Sequence, residues 1–260
     1  MDKIKTIVKK EWAEVFKNKM VLFSVIFMPL LFAALPLIIL FATGGGGDMA
    51  GDIPQQISVM CSEEMSAGEC FQVYIVSQFM VLFMLVPLII PVNIASYSIV
   101  GEKTTRSLEP LLATPITTAE LLVGKNLAAV IPAVGATLAA FLIFATGAGL
   151  ISGSPQVTAA LLDPMWLLAV LLVGPLLAVL SVNFAIMVSS RVNDPRVAEQ
   201  LSVVVIVPIL GLFFGQVSGL LIFNNNIVLI MALVLVVIDF FMVQVAIRLF
   251  QRENILTRWK

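Results

Sequence analysis

Six stretches of this chain are too long and too apolar to be covered inside a soluble domain of its length: 20–42, 73–100, 126–149, 165–189, 201–223 and 227–250. Each exceeds the ~20 residues that cross ~30 Å of hydrocarbon as a helix. Open strands are excluded there, because lipid cannot satisfy their backbone groups. The chain is 60% hydrophobic and only 12% charged, outside the range of soluble domains. The expected fold is all-α: a polytopic membrane protein of six transmembrane helices, forming one domain over 1–260, with an amphipathic helix over 1–19 before the first span.

The cations fix the expected orientation. Lys3, Lys5, Lys9, Lys10, Lys17 and Lys19 precede the first stretch, and Lys103, Arg106 and Lys125 lie between the second and third. Arg191 and Arg196 lie between the fourth and fifth, and Arg248, Arg252, Arg258 and Lys260 close the chain. The loops 43–72, 150–164 and 224–226 contain none. Lys and Arg resist translocation, so both termini and the segment 101–125 are expected in the cytoplasm. One span more or fewer would scatter the cations over both faces. The first span lacks a small-x-small cleavage site and reads as a retained anchor rather than a signal peptide. No loop has room for a soluble catalytic domain.

Ile4, Ile7, Val8, Trp12, Val15 and Phe16 recur at helical spacing before the first span, with lysines on the other face. That pattern predicts a helix in the headgroup layer, in contact with membrane lipids, or a plain positive-inside anchor. In the external loop 43–72, Gly44 to Gly47 suggest a linker rather than a phosphate loop, since no Lys-Ser/Thr follows. Cys61 and Cys70, the only two cysteines, both fall there. An oxidising exterior permits a disulfide between them, and two isolated thiols are the alternative. Two cysteines without histidine are too few soft ligands for a metal site.

Pro87, Pro91, Pro132, Pro175 and Pro208 lie inside spans, where each removes a backbone donor and favours a kink. Gly211, Gly215 and Gly219 form a GxxxGxxxG pattern in span five. It suits close helix packing between two subunits, packing within one, or a helix break at Gly215. Asn93, Asn183 and Gln216 are candidate transport-path residues. Asp239 is the only acid within a span, ~18 Å inward from the start of span six at ~1.5 Å per residue. An intramembrane carboxylate costs several kcal/mol unless it is paired, hydrated or protonated (about 3 on insertion scales), so Asp239 is a functional candidate too. Its partner would come from another helix, a second subunit or water.

The segment 101–125 reads GEKTTRSLEPLLATPITTAELLVGK. Thr117 and Glu120 have the spacing of a capping box, which would start a helix running into span three. Before it, Leu108, Leu111 and Leu112 recur among charges over about 104–114, as a short docking helix would require. This string resembles the signature of type-2 ABC transporter permeases, nearest the sodium-efflux and drug-export branch. That branch shows an E-K-x-x-G-T-L-E-x-L-L-A-T-P-I pattern followed by E-L-x-x-G-K. Arg106 and Ser107 stand where the family usually has Gly-Thr. The stretch NDPRVAEQ over 193–200 also resembles the family, and with the six spans the resemblance covers nearly the whole chain.

The resemblance implies a coupling helix seated in a groove of a separate cytoplasmic ABC ATPase subunit. By position, Glu102, Lys103, Arg106 and Glu109 would supply polar contacts, and Leu108, Leu111 and Leu112 apolar ones. It further implies a second permease subunit, two ATPases, and ATP with Mg²⁺ bound on those partners. This chain itself is expected to hold no cofactor and to be no enzyme. Lys125 is followed by Asn126, and the Gly needed five positions before Gly124 is Ala119, so no phosphate loop exists. The expected function is outward transport across a prokaryotic plasma (inner) membrane, with no role in nucleic-acid binding. The competing expectation is a self-sufficient secondary transporter or channel with Asp239 as its ion or proton site. An intramembrane enzyme finds no histidine, nucleophile elbow or carboxylate cluster to work with.

Overall fold

A computed structural model of the chain describes residues 2–43, 65–105, 116–221 and 223–249. Among these, every regular element is helical. The order is α1 (Asp2–Val15), α2 (Lys19–Thr43), α3 (Ala67–Phe83), α4 (Val86–Thr104) and α5 (Thr118–Ser152). There follow α6 (Pro155–Leu161), α7 (Pro164–Leu168), α8 (Gly174–Ser189), α9 (Pro195–Ser202), α10 (Val207–Val217) and α11 (Asn225–Leu249). Six helical stretches among the described residues are long and apolar enough to cross a membrane. They are α2, α3 with α4, α5, α6 to α8, α9 with α10, and α11.

Prolines set the interruptions. Span two breaks at Met84 and Leu85, just before Pro87, whose missing N–H would have paired with the Phe83 carbonyl. Phe83 fills the break by packing against Phe141 and Phe144 of α5, with ring centroids 6.3 and 6.5 Å away. Span four widens into a π-turn over Ala169–Val173 directly before Pro175, and the Gly174 N–H bonds back to the Ala169 carbonyl. Span five tightens into a 3-10 turn over Val203–Ile206 directly before Pro208. Pro132 is instead carried inside an unbroken α5.

The helix ends follow local chemistry. The Thr117 hydroxyl accepts from the Glu120 N–H while the Glu120 carboxylate accepts from the Thr117 N–H, which starts α5 as the spacing predicts. An unanticipated second capping box, Ser66 with Glu69, starts α3, and Ser154 donates to the same Glu69 carboxylate. Cys70, beside it, is buried and disulfide-bonded. Cys61 lies outside the described residues.

Span five differs from its expected extent. The helix ends at Val217 instead of running to 223, and Gly219 turns the chain with φ 73°. A side chain at that φ is strained, so glycine suits the position. Gly211, Gly215 and Gly219 therefore do not form one continuous helical stripe. A Cβ at Gly215 would lie 2.5 Å from Leu221, which folds back onto it, while Gly211 faces open space.

The hub is α4, buried on most of its circumference and packed by α8, α5, α9, α2 and α1. Helix α11 buries Val228, Ala232, Leu235, Asp239 and Ala246 against its neighbours, chiefly α8.

Candidate functional site

The N-terminal helix is docked on protein. Ile7, Glu11 and Val15, spaced by four, form one buried face of α1 against α5 and α4. Gly124 makes the approach possible, because a Cβ there would sit 2.7 Å from Ile7 Cγ2. One turn further on, the Trp12 indole N–H donates to the Ala128 carbonyl at 2.9 Å. The intrahelical donor to that carbonyl would be residue 132, which is Pro132. Trp12 thus satisfies the acceptor that the proline leaves orphaned.

This docking assembles a cluster of charges from three helices. Lys125 of α5 sits 2.8 Å from Glu11 of α1 and 2.8 Å from Glu102 of α4. It also donates to the Ser98 hydroxyl at 2.7 Å, and Ser98 donates on to the second Glu11 oxygen at 2.5 Å. Lys10 reaches the other Glu102 oxygen at 2.5 Å and lies 3.6 Å from Glu14. Glu11, Glu102 and Lys125 are 2%, 4% and 4% exposed, so water does little to screen them. Burial alone would push the Glu11 carboxyl up. Lys125, then Ser98 and Lys10, outweigh it and hold Glu11 below the usual carboxylate range. Burial likewise pulls on Lys10, but Glu102, Glu11 and Glu14 together raise it above the usual lysine value.

A buried ion set is costly to half-dismantle. Removing one partner strands its mate, at about 3–5 kcal/mol, whereas removing both together is often close to neutral. The position of this set matters more than its strength. Glu102 lies two residues before the end of α4, and Lys125 lies two turns into α5. The cluster therefore ties α1 to both helices that flank the segment 105–117. A cavity of about 420 Å³ lies beside it, lined among others by Glu11, Glu14, Asn18, Tyr97, Thr105 and Pro195.

Two residues expected to contact a partner also make contacts within the chain. Glu102 faces inward to Lys10 and Lys125. Lys103 donates to the Ser190 and Val192 carbonyls at 3.3 Å, stapling α4 to the loop before α9. Both contacts come from α1 and the 190–194 loop folding over the end of α4. Arg106, Leu108, Glu109, Leu111 and Leu112 lie outside the described residues.

The four polar span residues lie on four different helices. Asn93 is buried in α4 and Gln216 near the end of α10. Asn183 accepts from Asn126 at 3.4 Å and lines a smaller, mainly apolar cavity of about 200 Å³ between α5, α8 and α11. Asp239 is 6% exposed, and its carboxylate has no hydrogen-bond partner among the described residues.

Glu11 and Ser98 stood in no motif, and Gly124 and Lys125 stood in the E-L-x-x-G-K pattern with no site role assigned to them. One signal was present: Glu11 falls on the apolar face of α1, between Ile7 and Val15, where a solvated helix would not place an acid.

The chain matches the family described as ABC-2 family transporter protein over residues 5–250 and belongs to that family. It is thus a multi-pass membrane component of an ABC transporter, a transport subunit rather than an ATPase domain, and the family implies association with ABC ATPase subunits. No curated protein matches the chain.

Proposed function

We propose that this chain is the permease subunit of an ATP-driven exporter of the sodium-efflux and drug-export branch. Two copies, or one copy and a related permease, assemble with two cytoplasmic ATPases that hold ATP and Mg²⁺. Both termini lie in the cytoplasm of a prokaryotic cell, consistent with the one-sided cations. Coupling runs through 102–115: Arg106, Leu108, Glu109, Leu111 and Leu112 contact the ATPase, while Glu102 and Lys103 hold the base of the segment. Closure of the ATPase pair pushes this segment and opens the path outward.

The observation that carries the reading is the buried cluster joining both helix ends next to that segment. A force applied between residues 105 and 117 would enter the bundle through a braced frame.

The test is co-purification of the ATPase with the full chain. Glu109→Lys and the pair Leu111→Asp with Leu112→Asp should abolish co-purification while membrane insertion persists. Retention at the wild-type level would overturn the proposal.

Asp239 favours a second reading, a self-sufficient carrier. Its carboxylate, without a hydrogen-bond partner among the described residues and buried in a helix long enough to span the membrane, is a feature that carriers use for ions or protons. Ion flux through the purified chain in liposomes without ATP, abolished by Asp239→Asn, would establish that reading. Absence of flux would remove it.

A further inference from the structure

Helix α1 is tied at its C-terminal end and along its buried face. At one end, three residues separate it from α2, and the hydrogen bonds scarcely pause there. The Phe16 N–H bonds to Trp12, Asn18 to Val15, and Leu22 to Asn18, at 3.0–3.1 Å. Along its buried face, Ile7 is seated on Gly124, Glu11 is locked to Lys125, and Trp12 occupies the Ala128 carbonyl. Span one, α2, packs one face against α5, α3 and α4, burying Val21, Ala33 and Leu40, and leaves the other face open. Phe23, Ile26, Ile38 and Phe41 all lie more than half exposed along its outward face.

We propose that Glu11 and Lys125 make α1 a crank, carrying movement of the α4 and α5 ends through the short turn into the first membrane helix. The buried pair cannot stretch gradually, because separating the charges in a low-dielectric site is steeply unfavourable. The α4 and α5 ends therefore shift together with α1 or not at all, which is rigid-body transmission. Glu11 and Lys125 are positioning residues in this scheme and contact neither cargo nor nucleotide. The inference rests on the reading of 102–115 as the place where the ATPase pushes.

The experiment uses the full chain with its co-purified ATPase in lipid nanodiscs, with the native disulfide intact. Spin labels replace Phe41, at the far end of span one, and Leu220, beyond span five, which are 76% and 83% exposed. The distance between them is measured without nucleotide and with ATP plus vanadate. In the wild type the distance distribution should shift with nucleotide. In Glu11→Gln with Lys125→Met, the shift should be lost although the ATPase still co-purifies and hydrolyses ATP. Lys125→Arg, which keeps the charge, should restore it.

A merely structural pair would lower stability in the variants but leave the nucleotide shift in place. An undiminished shift in the double variant overturns the crank, as does a wild-type complex that hydrolyses ATP without any shift. If the double variant fails to fold, the milder Glu11→Gln decides alone: loss of the shift in that folded complex supports the proposal, and an undiminished shift overturns it. A wild-type chain that captures no ATPase fails the earlier reading instead, before any distance is measured.

Discussion

Spans two and five are both apolar enough to cross a membrane, yet 67% of the most apolar stretch of span two is buried in protein and only 17% of that of span five. Apolarity in lipid reports only that a helix can live there, since lipid tails are as apolar as leucine. What separates the two is neighbours. Span two is ringed by α8, α5, α9, α2 and α1, while α10 turns Val207 and Phe214 outward at 60% and 63% exposure. One span is the frame on which the rest is mounted, and the other offers a face to lipid or to a second copy.

The contrast breaks most easily at the frame. Phe144, fully buried against Phe83 at the span-two break, should cost about 3–5 kcal/mol when changed to Ala, read as thermal unfolding in detergent. A loss below about 1 kcal/mol would mean that the break is loosely packed.

Gly124→Ala should cost about 1–3 kcal/mol by forcing Ile7 away. It should also increase the access of protease to α1, whereas unchanged protection would show that α1 docks without that contact.

Acid should loosen α1 by a smaller amount. The Glu11 carboxyl is held below its ordinary value, so its stabilising contribution is present above the unfolded glutamate value of about 4.3 and is lost as pH falls through the folded one. Lys10 works in the opposite sense. Its contribution holds below the unfolded lysine value of about 10.4 and is lost as pH rises through the folded one. Stability should therefore be level near neutrality and decline toward acid, with a smaller decline in Glu11→Gln.

The smallest effect is expected on the open face. Phe214→Ala should change the stability of the isolated chain by less than about 0.5 kcal/mol. A larger loss that depends on protein concentration would show that a second copy covers α10.

Much of this architecture was legible one segment at a time. Span number, the capping box at Thr117 and the breaks near Pro87 and Pro208 all depend on residues within a turn or two of each other. The buried cluster was not, because Lys10 with Glu102 and Lys125 with Glu11 are 92 and 114 residues apart. Nothing in the local pattern around Glu102 distinguishes an acid turned inward from one offered to a partner. The glycine pattern left packing and a helix break open for a related reason: helical spacing assumes the helix continues, and here the helix ends at Val217.

The most direct measurement is a double-mutant cycle on unfolding stability with Glu11→Gln, Lys125→Met and both together. Lys125→Met alone should cost about 3–5 kcal/mol, and the double variant should be markedly more stable than the sum of the single effects. Strict additivity would mean that the two charges do not sense each other, and the braced frame would not exist.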